Sequence, residues 1–131
     1  MNKTLKITFT LLFSHLLAIS SALAQDKDAN AQAISSATSA LDEFMLAFNS
    51  KSMKAWTATL NYPHARFASG TVTVWPSAEE FERGRTFERL PRTGWDHSSW
   101  IQRDASLVSS SKVHINTVFQ RFNDKNEPIG T

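Results

Sequence analysis

Apolar residues from Ala31 onward fall into one stripe. Ile34, Ala37, Leu41, Phe44, Met45 and Phe48 follow one another mostly at steps of three and four, which predicts an amphipathic helix stopping near Asn49-Ser50. A second, shorter helix is expected from Ser52 as N-cap, carrying Met53, Trp56 and Leu60 before Pro63 ends it. The pattern then changes. Arg66-Phe67-Ala68 and Thr71 to Trp75 flank the dipeptide Ser69-Gly70, with β-branched residues after it, as in a tight hairpin. Pro76 closes that strand, and Ser77 and Glu80 stand at capping-box spacing at the head of a third helix expected to end before Pro91.

The last third alternates with period two. Trp100 to Val108 puts Ile101, Arg103, Ala105 and Leu107 on one side. After a Ser109-Ser110-Ser111 turn, residues 112–122 alternate more cleanly. Val113, Ile115, Thr117, Phe119 and Arg121 share one face, and His114, Asn116, Val118, Gln120 and Phe122 the other. The order helix, helix, hairpin, helix, strands predicts an α+β fold, with helices packed on a curved antiparallel sheet. Residues 31–131 read as one domain, and the polar stretch 25–30 as its disordered N-terminus.

The first residues add a compartment. Lys3 and Lys6 precede an apolar run from Ile7 to Ile19, and Ala22-Leu23-Ala24 supplies the small-x-small pattern of a cleavage site. The run is shorter than the roughly 20 residues a helix needs to span a bilayer core. Residues 1–24 are therefore expected to be a signal peptide cut after Ala24, placing the mature chain in the periplasm or outside the cell, without a membrane anchor. Loss of Lys3 and Lys6 from 14 basic residues leaves the mature chain balanced against its 12 acidic ones. Arg83, Arg85, Arg89 and Arg92 are interleaved with Glu79, Glu80, Glu82 and Glu88, the pattern of a solvated face. Nucleic acid is not an expected partner. With no cysteine, the chain has neither disulfide staples nor thiolate chemistry.

Several stretches resemble the NTF2-like superfamily, its SnoaL-like branch in particular. They are Tyr62-Pro63-His64-Ala65-Arg66, Gly94-Trp95-Asp96-His97-Ser98, and Lys112-Val113-His114 running into Phe119-Gln120-Arg121-Phe122-Asn123. The resemblance covers Ala31 to the end of the chain. It implies a cone of three helices on a strongly bent sheet enclosing an apolar pocket, often in a homodimer. None of these stretches is a catalytic signature. Members of the family continue past the turn near Asn123 with two further strands, whereas this chain carries only a few residues beyond it. The expectation is a domain lacking its final hairpin, with strand 112–122 left as an open edge prone to pair with another chain.

The chemistry-bearing candidates follow from that picture. His64 stands where helix gives way to hairpin, either lining a pocket or steadying the turn. Asp96 sits among Trp95, His97 and Trp100, where aromatic surroundings would raise its pKa toward that of a general acid or base, unless it merely caps its own turn. Asp96 and His64 are thus the candidate catalytic pair. Trp56, Trp75, Trp95, Trp100 and Phe119 are candidate walls for a flat apolar ligand, unless they are simply core. His97, His114 and Arg121 are candidate polar contacts, although the alternation of strand 112–122 also puts His114 on the outer face, and Arg121 is either a carboxylate-binding rim residue or, the favoured reading, the structural partner of an acidic group. Metal-ligand spacing is missing among the histidines, and no cofactor or phosphate loop is expected. Two functions remain open: proton-transfer chemistry on a small hydrophobic molecule, as in an isomerase, dehydratase or cyclase, or a non-catalytic binding or dimerisation module. Convergence of Asp96, His64 and His114 in one cavity favours the enzyme, and dispersal favours the module.

Overall fold

In a computed structural model, residues 4–130 are described, with side chains from residue 26 onward. The described residues form an α+β fold, with three α-helices and two antiparallel sheets that do not join into a closed barrel. Helix α1 (Thr4–Asn49) is followed by α2 (Met53–Ala58), the hairpin β1 (His64–Ala68) and β2 (Thr71–Trp75), and α3 (Ala78–Gly84). A 3-10 turn at Pro91–Thr93 leads into β3 (His97–Ser109), β4 (Lys112–Phe122) and the short β5 (Pro128–Ile129). The expected leader and its cut fall within residues 1–25, whose side chains lie outside the described residues. Residues 26–30, expected to be disordered, continue α1. No helix among the described residues is long and apolar enough to cross a membrane.

Local rules place most of these elements. The Ser52 hydroxyl accepts from Ala55 N–H at 3.2 Å and starts α2, and Ser77 does the same for Glu80 at 3.3 Å at the head of α3. Ser69 and Gly70 both have positive φ, 52° and 73°, as a two-residue type I′ hairpin requires. Helix α3 is shorter than expected. It stops at Gly84, and Arg85 is already extended at φ −129°, ψ 152°. Glycine is a poor helix residue, and here it also clears space: a Cβ on Gly84 would stand 3.1 Å from Trp75 Nε1.

The larger sheet has the order β3-β4-β5. Strand β3 begins at His97, earlier than expected, and two register shifts interrupt its pairing with β4. Ile101 falls in the first shift, and Leu107 pairs with His114 after the second. The alternation read from Ile101 to Leu107 is therefore broken, and both residues are largely exposed, at 62% and 64%. On β4 the expected inner face turns Thr117, Phe119 and Arg121 to the cavity, although Phe119 stays half exposed, while His114 is exposed on the other face. Beyond the turn at Asn123, β5 pairs with Arg121 and Phe122 only, so it covers the end of β4 and leaves the rest of that edge without a strand among the described residues.

The helices do not all lie on this sheet. α1 packs on β3 and β4, α2 bridges α1 and α3, and α3 leans on β2. Buried apolar residues are few, namely Met45, Ala47, Phe81 and Trp95. Rings do most of the joining. Trp75, Phe81, Trp56 and Phe48 form a chain with centroids 5.0 Å apart at each step, and Phe48 continues to Trp95 at 5.3 Å.

Candidate functional site

Where the hairpin, the helices and the larger sheet face one another, they leave a cavity of about 460 Å³. The helical stripe turns Phe44 and Phe48 into it, α2 adds Trp56, and α3 adds Phe81, one turn past its Ser77 cap. The sheet contributes Ser98, Trp100, Thr117, Phe119 and Arg121, and the hairpin contributes His64 and Arg66. The segment after α3 borders the remaining side with Arg85, Thr86, Phe87, Arg89 and Leu90, and the cavity stays partly open to solvent. A volume in this range suits a small organic ligand.

Hydrogen bonds hold the walls in place. Trp100 Nε1 donates to the Leu41 carbonyl at 3.1 Å, pinning β3 to α1. Asn49, at the end of α1, bonds twice to the Ser98 backbone: its Nδ2 donates to the carbonyl at 2.8 Å, and its Oδ1 accepts from the N–H at 2.9 Å. Trp95 Nε1 donates to the Ser98 hydroxyl at 2.9 Å beneath them. Arg103 pairs with Asp42 further along α1.

Of the residues expected at a site, His64, Trp56, Trp100, Phe119 and Arg121 line this cavity. Trp75 stands just behind it, stacked on His64 at 5.8 Å and edge-on to Phe81 at 5.0 Å. Trp95 is buried at the base of the aromatic chain, only 3% exposed. Asp96, His97 and His114 lie outside. Asp96 takes Lys51 Nζ at 3.0 Å and His97 Nδ1 at 3.1 Å, all three partly exposed. Hydrogen bonds from Lys51 and then His97 hold its carboxyl below its ordinary value. That is the reverse of the raised pKa expected from aromatic surroundings, because the indoles beside Asp96 turn inward while its carboxylate faces a lysine. His97 stacks on Phe122 at 5.1 Å, away from the cavity. Asp96, His64 and His114 therefore occupy three separate places.

The cavity has a charge pattern that composition concealed. Arg66, Arg85, Arg89 and Arg121 all line it, together with His64, and no aspartate or glutamate does. Arg85 lies over the Trp75 ring at 4.7 Å, and Arg121 over Phe119 at 5.7 Å. Burial, and secondarily the Arg66 charge, lowers the pKa of Arg85. Burial, and secondarily Arg85, does the same to His64. The reading of Arg85 as part of a solvated helical face is thus corrected, whereas Arg89 borders the cavity and is still exposed to solvent, as that reading has it. Once α3 ends at Gly84, the chain turns and carries both toward the cavity. Arg66 was legible, since it shares the period-two face of His64, whereas Arg85 and Arg89 were hidden by a helical spacing that the chain does not follow.

The fold and site define an α+β chain with an aromatic-walled, arginine-lined cavity. No protein-family model matches the chain, and neither a curated protein nor a solved structure is significantly similar to it.

Proposed function

We propose that this chain is an exported binding module of the NTF2-like kind, whose cavity takes a small, largely apolar molecule. The observation that carries the reading is the cavity itself, about 460 Å³ and walled by Phe44, Phe48, Trp56, Phe81 and Trp100 from elements far apart in sequence. The element order and the inner face of β4 support the kinship, and the lysine-flanked apolar start supports export. Dispersal of Asp96, His64 and His114 favours binding over proton-transfer catalysis. His64 would have to act alone, without the orienting partner that acid–base sites use.

The test is a thermal melt of the full chain against a panel of flat apolar carbonyl compounds, followed by tryptophan emission. A ligand that binds the native state at a hundred times its Kd stabilises it by about 2.7 kcal/mol. A reproducible rise in midpoint, accompanied by quenching from Trp56 and Trp100, is the expected result. No shift and no quenching with any compound, on a chain that melts cooperatively, would refute the reading.

A further inference from the structure

We infer that the cavity recognises a carboxylate, so that its ligand is a small organic acid with a flat apolar body; this rests on the binding reading above. Four guanidinium groups and one histidine line the cavity without a single acidic side chain. Among the described residues, the ion pairs are Lys51–Asp96, His97–Asp96 and Arg103–Asp42, and none of them involves a cavity arginine. Arginine keeps its charge under all ordinary conditions. Arg66 and Arg89 reach solvent, whereas Arg85 and Arg121 are half-buried against the aromatic wall, and it is at these two that an incoming anion gains most.

A second observation points the same way. Four buried side-chain polar atoms lack a hydrogen-bond partner among the described residues, and three of them are N–H donors on cavity-lining residues: Trp56 Nε1, Arg85 Nε and Arg121 Nε. Buried donors are nearly always partnered in folded proteins. These three atoms are themselves closed off from the open cavity, so the donors a ligand can reach are the outer guanidinium nitrogens of Arg85 and Arg121. The rings set the geometry. Trp75 lies 4.7 Å from the Arg85 guanidinium carbon and Phe119 5.7 Å from that of Arg121, so each cation sits against a ring while its fork suits a planar, two-oxygen group. Phe48, Phe81 and Trp100 then surround whatever the carboxylate is attached to. An aromatic or short branched acid satisfies both halves, whereas a bare inorganic anion leaves the rings unused.

The experiment measures affinities of the full chain for 2-naphthoate, its neutral amide 2-naphthamide, and 2-naphthyl phosphate, by tryptophan quenching and calorimetry. Naphthoate is expected to bind at least about tenfold more tightly than the amide, the scale of one charge-assisted hydrogen bond. The advantage should shrink as salt is raised. Arg85→Met and Arg121→Met should each remove most of that advantage while leaving amide binding nearly unchanged. Arg92→Met, in the 3-10 turn outside the cavity, should leave both affinities as they are. If a cavity variant fails to fold, the salt dependence of the acid–amide difference in the unaltered chain carries the test. Equal binding of acid and amide would overturn the carboxylate inference while leaving the binding module standing. Tighter binding of the naphthyl phosphate would also overturn it, in favour of a phosphate. Binding of none of the three would overturn both readings together.

Discussion

Asn49 offers a sharp test of how the cavity is held together. Among the described residues strand β3 is an edge strand, with β4 on one side and no strand on the other. For one residue, Ser98, the Asn49 amide takes the place of the missing neighbour, donating to its carbonyl and accepting from its N–H at 2.8 and 2.9 Å. Ser98 is only 2% exposed, so in Asn49→Ala its backbone groups have little water to turn to. Each lost hydrogen bond costs roughly 1 kcal/mol net, and a buried backbone group left unpaired costs about 1–3 kcal/mol. With some relaxation at this half-buried junction, the expected loss is about 2–4 kcal/mol. That is a large share of the roughly 5–15 kcal/mol that holds a typical domain. A domain of this size would lose on the order of 10–20 °C in Tm. Urea unfolding of the full chain, followed by tryptophan emission and by circular dichroism, measures the loss directly. Asn116→Ala, on the exposed outer face of β4, is the control and should stay within about 0.5 kcal/mol. If Asn49→Ala proves no worse than this control, the amide bridge does not fasten α1 to β3, and the account of the cavity wall fails.

Other substitutions probe the remaining parts. Phe81, 1% exposed and 5.0 Å from both Trp56 and Trp75, is the hub of the aromatic chain; Phe81→Ala should cost about 3–5 kcal/mol in the same urea assay. Gly70 sits at φ 73° with nothing near its missing Cβ, so Gly70→Ala should cost only about 1–2 kcal/mol of backbone strain, while Ser69→Asn should be neutral or slightly stabilising. Because burial lowers His64 below its ordinary 6.5, the unfolded chain takes up its proton first; stability is therefore complete above about pH 6.5 and declines as pH falls from there to the folded value. His64→Gln should flatten that part of the stability–pH curve, and an unchanged slope would show that His64 is not desolvated. Asp96→Asn should leave ligand affinity unaltered, whereas a loss of affinity without a loss of stability would place Asp96 at the site after all.

Much of this protein is written locally. Ser52, Ser77 and the Ser69-Gly70 pair act on residues no more than four positions away, so α2, α3 and the first hairpin have recognisable starts and turns. The stripe on α1 and the alternation on β4 likewise name their inner faces, because each is a property of one element's own geometry. By the same reasoning Trp56, Trp100, Phe119 and Arg121 stood out as wall residues, and Arg66 could have joined them through its alternation with His64. The rest depended on segments that meet only in space. Whether an aspartate beside two indoles is desolvated depends on which way each side chain turns, and Asp96 meets Lys51 from the end of α1 instead. Two register shifts in β3 break the alternation that put Ile101 and Leu107 on one side, and nothing in their immediate neighbours announces them. Arg85 and Arg89 carry the largest difference. Their spacing from the preceding glutamates fits an exposed helix, but α3 ends at Gly84, and the chain beyond it brings Arg85 and Arg89 to the border of the cavity. Pattern along the chain determined which elements form and which faces are apolar; the tertiary structure decided where the unpaired charge collects, because that depends on which distant segments share a boundary.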